Sequence, residues 1–242
     1  DGWRAKIGED FTFTNVRYLT EALVKYLSEK KLTRNIIVGY DTRFLSFEFA
    51  KTVATIISRN DIPVTITSSF VPTPALSHCI IELKADAGVM ITSSHNPFDW
   101  NGIKLKTNEG VSLPEKETAI IESYIDDSKI YNLNEHELFE QHLSNGLIRW
   151  HDPQNSYLKS LTNFVNIEAI KHSNLKILID PMYGSAQGWL LKLLEKSQTT
   201  ASEIHGSINP LFPSLHAPEP IVRNLTESSK LKFQHGIFVQ SS

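Results

Sequence analysis

Helix-period stretches and short β-branched runs alternate over residues 15–92, and this alternation restricts the possible folds more than any other feature of the chain. Val16, Leu19, Leu23, Val24 and Leu27 recur at helical spacing over 15–29. Asn35-Ile36-Ile37-Val38-Gly39-Tyr40 is a short β-branched run and predicts a buried strand. A second helix is expected over 46–59, with Phe49, Val53, Ile56 and Ile57 on one face, Ser46 as its N-cap and Glu48 in its first turn. Pro63-Val64-Thr65-Ile66 is the next strand. Pro72 and Pro74 lead into a helix over 75–83, and 87–92 is a third strand. This order predicts an α/β fold: a three-layer α/β/α sandwich on a mostly parallel sheet, followed by a partial second α/β domain of similar build.

The stretch 113–143 is helical in pattern and strongly charged, which suits an outer helix or helix pair with a solvated face. A break at His151-Asp152-Pro153 sets the domain boundary, giving expected domains 1–152 and 153–242. The alternation then restarts. A helix holds Tyr157, Leu158, Leu161 and Val165, a strand runs over 176–180, a loop over 181–185 and a helix over 186–196. Pro210, Pro213, Pro218 and Pro220 make 209–223 an ordered loop, and Gly236-Ile237-Phe238-Val239 is a final strand. The sequence stops at Gln240-Ser241-Ser242, so the second domain is expected to be incomplete.

Composition excludes several classes of function. With 24 Lys+Arg against 27 Asp+Glu the formal charge is 24 − 27 = −3, which offers a nucleic-acid backbone no electrostatic footing. No apolar run approaches the roughly 18 residues that cross a bilayer. Asp1-Gly2-Trp3-Arg4 does not resemble a signal peptide, and Cys79 is the single cysteine, so a reducing cytoplasmic setting is expected. The nine histidines show no metal-ligand spacing, and Gly39-Tyr40-Asp41-Thr42-Arg43 lacks the glycines of a dinucleotide or Walker loop.

The segment with the most chemistry is Thr92-Ser93-Ser94-His95-Asn96-Pro97, with Asn101-Gly102-Ile103-Lys104 after it. It follows a buried strand, at the carboxyl end where open α/β sheets bind ligands. Ser94 offers a hydroxyl, His95 and Asn96 polar groups, Pro97 a stiff turn and Lys104 a cation, a set suited to phosphate. The same residue types are ordinary turn formers, so a plain connecting loop is the competing reading. Asp41 and Arg43 likewise suit an ion pair or a helix cap, Arg4 a surface position, and Glu219 a solvated acid or a contact to a hydroxylated ligand.

The serine segment resembles the phosphoserine loop of the α-D-phosphohexomutases, the phosphoglucomutase and phosphomannomutase family. Five further segments agree in order: Asp1-Gly2-Trp3-Arg4, Gly39-Tyr40-Asp41-Thr42-Arg43, Val71-Pro72-Thr73-Pro74, Asp180-Pro181-Met182-Tyr183-Gly184 and Ala217-Pro218-Glu219-Pro220. The resemblance implies an isomerase that interconverts hexose 1-phosphate and 6-phosphate by phosphoryl transfer through a phosphoserine and a bisphosphorylated sugar. It implies Ser94 as carrier and, through its phosphate, as a magnesium ligand. Lys104 and Arg4 take acid/base and hydroxyl-orienting roles, His95 shapes the site, and Arg43 and Glu219 touch substrate. Mg²⁺ is the implied cofactor, hexose 1,6-bisphosphate the activator, and a small sugar phosphate the partner.

The sequence departs from the family pattern in places. No Asp-x-Asp-x-Asp metal loop occurs, Ala5 stands where glycine is usual and Ser93 where alanine is usual. Two readings follow: a phosphohexomutase represented by its first domain and most of its second, or a catalytically incompetent remnant that at most binds phosphate or a partner.

Overall fold

A computed structural model describes residues 2–128 and 134–231, together with the backbone of the strand at 237–240. Asp1, Gly236, Ser241 and Ser242, which enter the motif and strand expectations above, lie outside the described residues. The chain forms two compact units. One takes in the chain to Asp41, then Leu45–Ser93 and Asp99–Pro153; the other gathers Thr42–Phe44, Ser94–Phe98 and the chain from Gln154.

In the first unit, β1 (Trp3–Lys6) precedes α1 (Phe13–Glu29), whose first turn is capped by the Thr12 hydroxyl accepting the Asn15 N–H at 3.2 Å. Then follow β2 (Ile36–Tyr40), α2 (Ser46–Ser58), β3 (Val64–Thr67), α3 (Thr73–Glu82), β4 (Ala87–Ile91) and β5 (Trp100–Thr107). Helices α4 (Glu115–Ser123) and α5 (Glu135–Ser144) and strand β6 (Ile148–His151) complete it. The charged stretch is thus two helices.

The sheet order is β1-β5-β4-β2-β3-β6. β2 pairs in parallel with β3 and β4, and β3 with β6. β5 runs antiparallel between β4 and β1. The alternation of the pleat sorts the side chains. Ile36, Val38, Val89 and Ile91 join a core with Val16, Leu23, Leu27, Phe49, Val53 and Ile57 of α1 and α2. Leu76 and Ile80 of α3 lie over the Gly39 and Gly88 backbone on the opposite face, which makes the three layers. Each large apolar side chain so buried contributes about 1.5–3 kcal/mol.

Two expectations change here. Asn101–Lys104 lies in β5, a strand whose mixed Trp-Asn-Gly-Ile-Lys-Leu-Lys-Thr composition hides it from a propensity reading, and β1 is its partner. Ser46 is not the N-cap of α2: Leu45 holds that position with φ 60°, and the Ser46 hydroxyl donates instead to Asp41 Oδ1 at 2.6 Å.

The second unit holds α6 (Gln154–Leu161), α7 (Ile167–Lys171), β7 (Lys176–Asp180), α8 (Trp189–Leu193), β8 (Thr200–Glu203), a 3₁₀ turn at Val222–Leu225, α9 (Thr226–Leu231) and β9 (Ile237–Gln240). Its sheet is parallel with β7 between β8 and β9. Ile167, Ile177, Ile179 and Leu194 form its core. The helix expected over 186–196 shrinks to Trp189–Leu193 because Gly188 sits at its N-cap with φ 73°, a left-handed turn that glycine takes without steric cost. Val165 falls beyond α6, which ends at Leu161. Among the described residues no helix is long and apolar enough to cross a membrane.

Candidate active site

Within the first unit, the β1–β5–β4 platform brings two of the candidate cations together. Arg4 of β1 pairs in register with Gly102 of β5, and Met90 of β4 with Lys104. Gly102 is demanded there: a β-carbon would lie 2.6 Å from Thr92 O and 2.7 Å from Trp3 O. Since Ala5, Ile103 and Leu105 face the core, alternation puts Arg4, Gly102 and Lys104 on the other face. Lys104 is half-buried, and burial first, then the Arg4 charge, holds its amine below the usual lysine range against the opposing pull of Asp41.

Asp41 closes β2 through its N–H to Ile91 O at 3.1 Å. Its carboxylate accepts the Ser46 hydroxyl, Ser46 Oγ accepts Asn101 Nδ2 at 2.9 Å, and Asn101 Oδ1 accepts the Gly102 N–H at 2.8 Å. This buried chain ties the end of β2, the start of α2 and β5 together. Sequence reasoning missed Ser46 and Asn101 in this role, because 55 residues separate them and neither carries a local signature.

The serine loop belongs to the second unit. Ser94 is a half-buried non-glycine residue with φ 57°, and its Oγ lies 3.1 Å from His95 Nδ1. Left-handed backbone at such a residue persists only where surroundings hold it. Arg43 supplies the hold: Nη2 donates to Ser94 O at 2.7 Å and to Asn96 O at 2.6 Å, and Nη1 to Pro97 O at 2.8 Å. Its guanidinium stacks over the Phe212 ring, 5.1 Å from the centroid. The residue itself is only 4% exposed. Next to Ser94, the Ser93 hydroxyl is buried with no hydrogen-bond partner.

Of the residues read from sequence, Ser94 and His95 share one loop into which Arg43 donates, and Arg4 and Lys104 lie on neighbouring strands. Glu219 is half-buried in the proline-rich loop, where the Asn224 amide donates to Ala217 O at 2.8 Å and to Glu219 O at 2.9 Å. Among the described residues no group of three or more His, Cys, Asp or Glu side chains could hold a metal ion. The donor set described does not fit magnesium by itself, a hard cation that takes several oxygen ligands.

A three-layer sandwich on a mostly parallel sheet defines an α/β protein, and its arginine-braced serine loop follows the carboxyl end of a strand, where such sheets bind ligands. The phosphoglucomutase/phosphomannomutase α/β/α domain I model matches residues 1–132, the domain II model matches residues 155–237, and the chain belongs to that family. A phosphoglucomutase of Staphylococcus haemolyticus is 30% identical over 213 residues, covering 85% of this chain and 38% of that protein. One from Staphylococcus epidermidis is 34% identical over 162 residues, 66% of this chain and 29% of its own length. The chain thus spans less than half the length of the curated relatives it matches. A crystal structure from Thermus thermophilus, of a protein provisionally named a phosphomannomutase, superposes with TM-score 0.88 at 28% identity over 99% of this chain and 52% of the other. The Paramecium parafusin structure shares the fold at TM-score 0.78 and 19% identity, over 96% of this chain and 46% of its own.

Proposed function

We propose that this chain carries the phosphoserine part of a phosphohexomutase that interconverts hexose 1-phosphate and 6-phosphate. In sequence, 1–152 is the first domain, which contributes the serine segment although that segment clusters with the second compact unit, and 153–242 is sequence of the second domain. The observation that carries the reading is the left-handed Ser94, braced through its own carbonyl by Arg43, in a loop that follows β4 within the matched domain I.

In this reading Ser94 Oγ takes a phosphoryl group from a hexose 1,6-bisphosphate, so that a sugar O–P bond breaks as the Ser94 O–P bond forms. Transfer back to the other hydroxyl of a hexose monophosphate reverses the exchange. Phosphoserine adds a charge of about −1.5 to −2. Lys104, with its proton affinity lowered by burial and Arg4, takes the proton of the attacking sugar hydroxyl and returns it in the reverse step. Arg4 orients that hydroxyl, and His95 holds the Ser94 hydroxyl through Nδ1. Arg43, for which family resemblance implies substrate contact, acts as a positioning residue, since its donors already serve three loop carbonyls. Glu219 contacts a sugar hydroxyl. Magnesium, when bound, would supply positive charge to the transferring phosphoryl oxygens. The partner is a sugar phosphate in the cytoplasm, with neither nucleic acid nor membrane involved.

Incubating the chain with glucose 1,6-bisphosphate and Mg²⁺ and measuring its intact mass tests this. One added phosphoryl group, mapped to the peptide 92–104 and lost in Ser94→Ala, is expected. An unmodified Ser94, or a phosphate lodged elsewhere, rejects it.

A further inference from the structure

Beyond the serine loop, a cluster of polar groups in the second unit surrounds Asp180, the last residue of β7. Its side chain is fully buried, and both carboxylate oxygens are engaged. Oδ1 accepts the Met182 N–H at 2.9 Å and meets His205 Nδ1 at 2.9 Å, and Oδ2 accepts the Ser228 hydroxyl. His205 Nε2 lies 3.3 Å from Glu227 Oε2. A carboxylate so completely engaged by hydrogen bonds is a construction element.

What it constructs is a strained turn. Met182 and Tyr183 are consecutive non-glycine residues with φ 52° and 61°, a geometry costing on the order of 1–3 kcal/mol per residue unless the surroundings impose it. Asp180 fixes the first through its N–H. His205 fixes the second, its carbonyl accepting the Tyr183 N–H at 2.9 Å and its ring lying 4.8 Å from the Tyr183 ring. The Tyr183 carbonyl so placed accepts Gln187 Nε2 at 2.8 Å and the Thr42 hydroxyl at 2.7 Å. Thr42 is the residue before Arg43, whose guanidinium holds the carbonyl of Ser94. An unbroken path of short contacts therefore runs from the Asp180–His205 pair through Tyr183 and Thr42 to the peptide of the serine.

We propose that Asp180 and His205 are positioning residues for the phosphoryl-carrying loop, acting through the Tyr183 carbonyl and the Thr42 hydroxyl. The assignment of a function to that positioning rests on the phosphoserine reading above; the mechanical claim does not. Removing the Thr42 hydroxyl leaves Arg43 chemically intact and frees its backbone, so the loop loses its fixed geometry before the fold loses stability.

The test uses the unphosphorylated 242-residue chain and ¹⁵N relaxation. In the parent, order parameters at Ser94, His95 and Asn96 are expected near about 0.85, the rigid-backbone value, and in Thr42→Val below about 0.6. Thr42→Ser, which keeps the hydroxyl, restores them. His205→Phe, which keeps a ring against Tyr183 and removes the Asp180 partner, loosens the same three residues, whereas His205→Asn, with an amide donor, does so less. Val89 to Ile91 of β4 stay rigid throughout, which separates loss of positioning from loss of fold. Unchanged order parameters in both Thr42→Val and His205→Phe overturn the proposal, as does loosening that spreads equally into β4. If either variant fails to fold, the Thr42→Ser and His205→Asn pair decides: loosening in Thr42→Ser equal to that in His205→Asn rejects the path. Phosphoryl uptake at Ser94 in the parent is read separately, so failure of the mutase reading leaves this outcome distinguishable.

Discussion

The guanidinium of Arg43 donates to the carbonyl of Ser94 at 2.7 Å, so the residue proposed to carry phosphate is held through its backbone. Arg43→Ala removes the donor from three loop carbonyls at once and is expected to destabilise the chain by about 3 kcal/mol. Arg43→Lys recovers only part of this, since an ammonium lacks the planar fork. Urea denaturation of both variants measures the difference. A loss under about 0.5 kcal/mol for Arg43→Ala, the level of an ordinary surface change, contradicts the brace.

Ser93→Ala is expected to stabilise the protein. The Ser93 hydroxyl is fully buried without a hydrogen-bond partner, so the chain bears its desolvation without return. Removing it should raise stability by about 1 kcal/mol, seen as a higher urea midpoint at unchanged slope. A lower midpoint would show that this hydroxyl has a role.

Ser46 separates two accounts of the start of α2. As an N-cap it would tolerate Asp; as the link between Asp41 and Asn101 it would not, because a second carboxylate would face Asp41. We expect Ser46→Ala to cost about 2 kcal/mol and Ser46→Asp to cost more. Thermal melts of the two variants side by side settle the order, and the capping account returns if Ser46→Asp is the more stable.

Lys104 carries a pH signature whose sign follows from its surroundings. Burial and Arg4 lower its proton affinity in the folded chain, while the unfolded chain keeps the ordinary value of about 10.4. Between the lowered value and the ordinary one, the unfolded chain binds more protons, so this group's contribution to stability rises with pH through that window. Below the window the penalty of holding the charge is constant. The stability of Lys104→Met relative to the parent should therefore decline as pH climbs from neutral toward the ordinary lysine value, measured by urea titrations across that range. A relative stability that grows with pH contradicts the assignment. If Lys104 also moves protons, the same variant slows phosphoryl uptake at Ser94 by about 10²–10⁴-fold.

Much of the frame was legible from residue order. β-branched runs marked β2, β3, β4 and β7, helical spacing marked α1 and α2, and the serine segment stood at the end of a strand where ligands gather. β1 and β5 were not legible. Their alternation mixes lysine, asparagine and glycine, and their pairing with each other across roughly a hundred residues leaves no local trace. The short α8 was overestimated because Gly188 reads as a tolerated helical glycine until its left-handed φ is known.

The site divides along the same line. Residue identity brought Ser94, His95 and Lys104 forward, and the family resemblance of the surrounding segments added Arg43, Arg4 and Glu219, because side-chain chemistry is carried in the sequence whatever the chain does. Only the tertiary structure decided their employment: that Arg43 serves carbonyls, that Ser46 links Asp41 to Asn101, and that His205 steadies a turn reaching Thr42. Hydrogen bonds between residues distant in sequence depend on how strands and loops come together in space, and no spacing along the chain encodes that meeting.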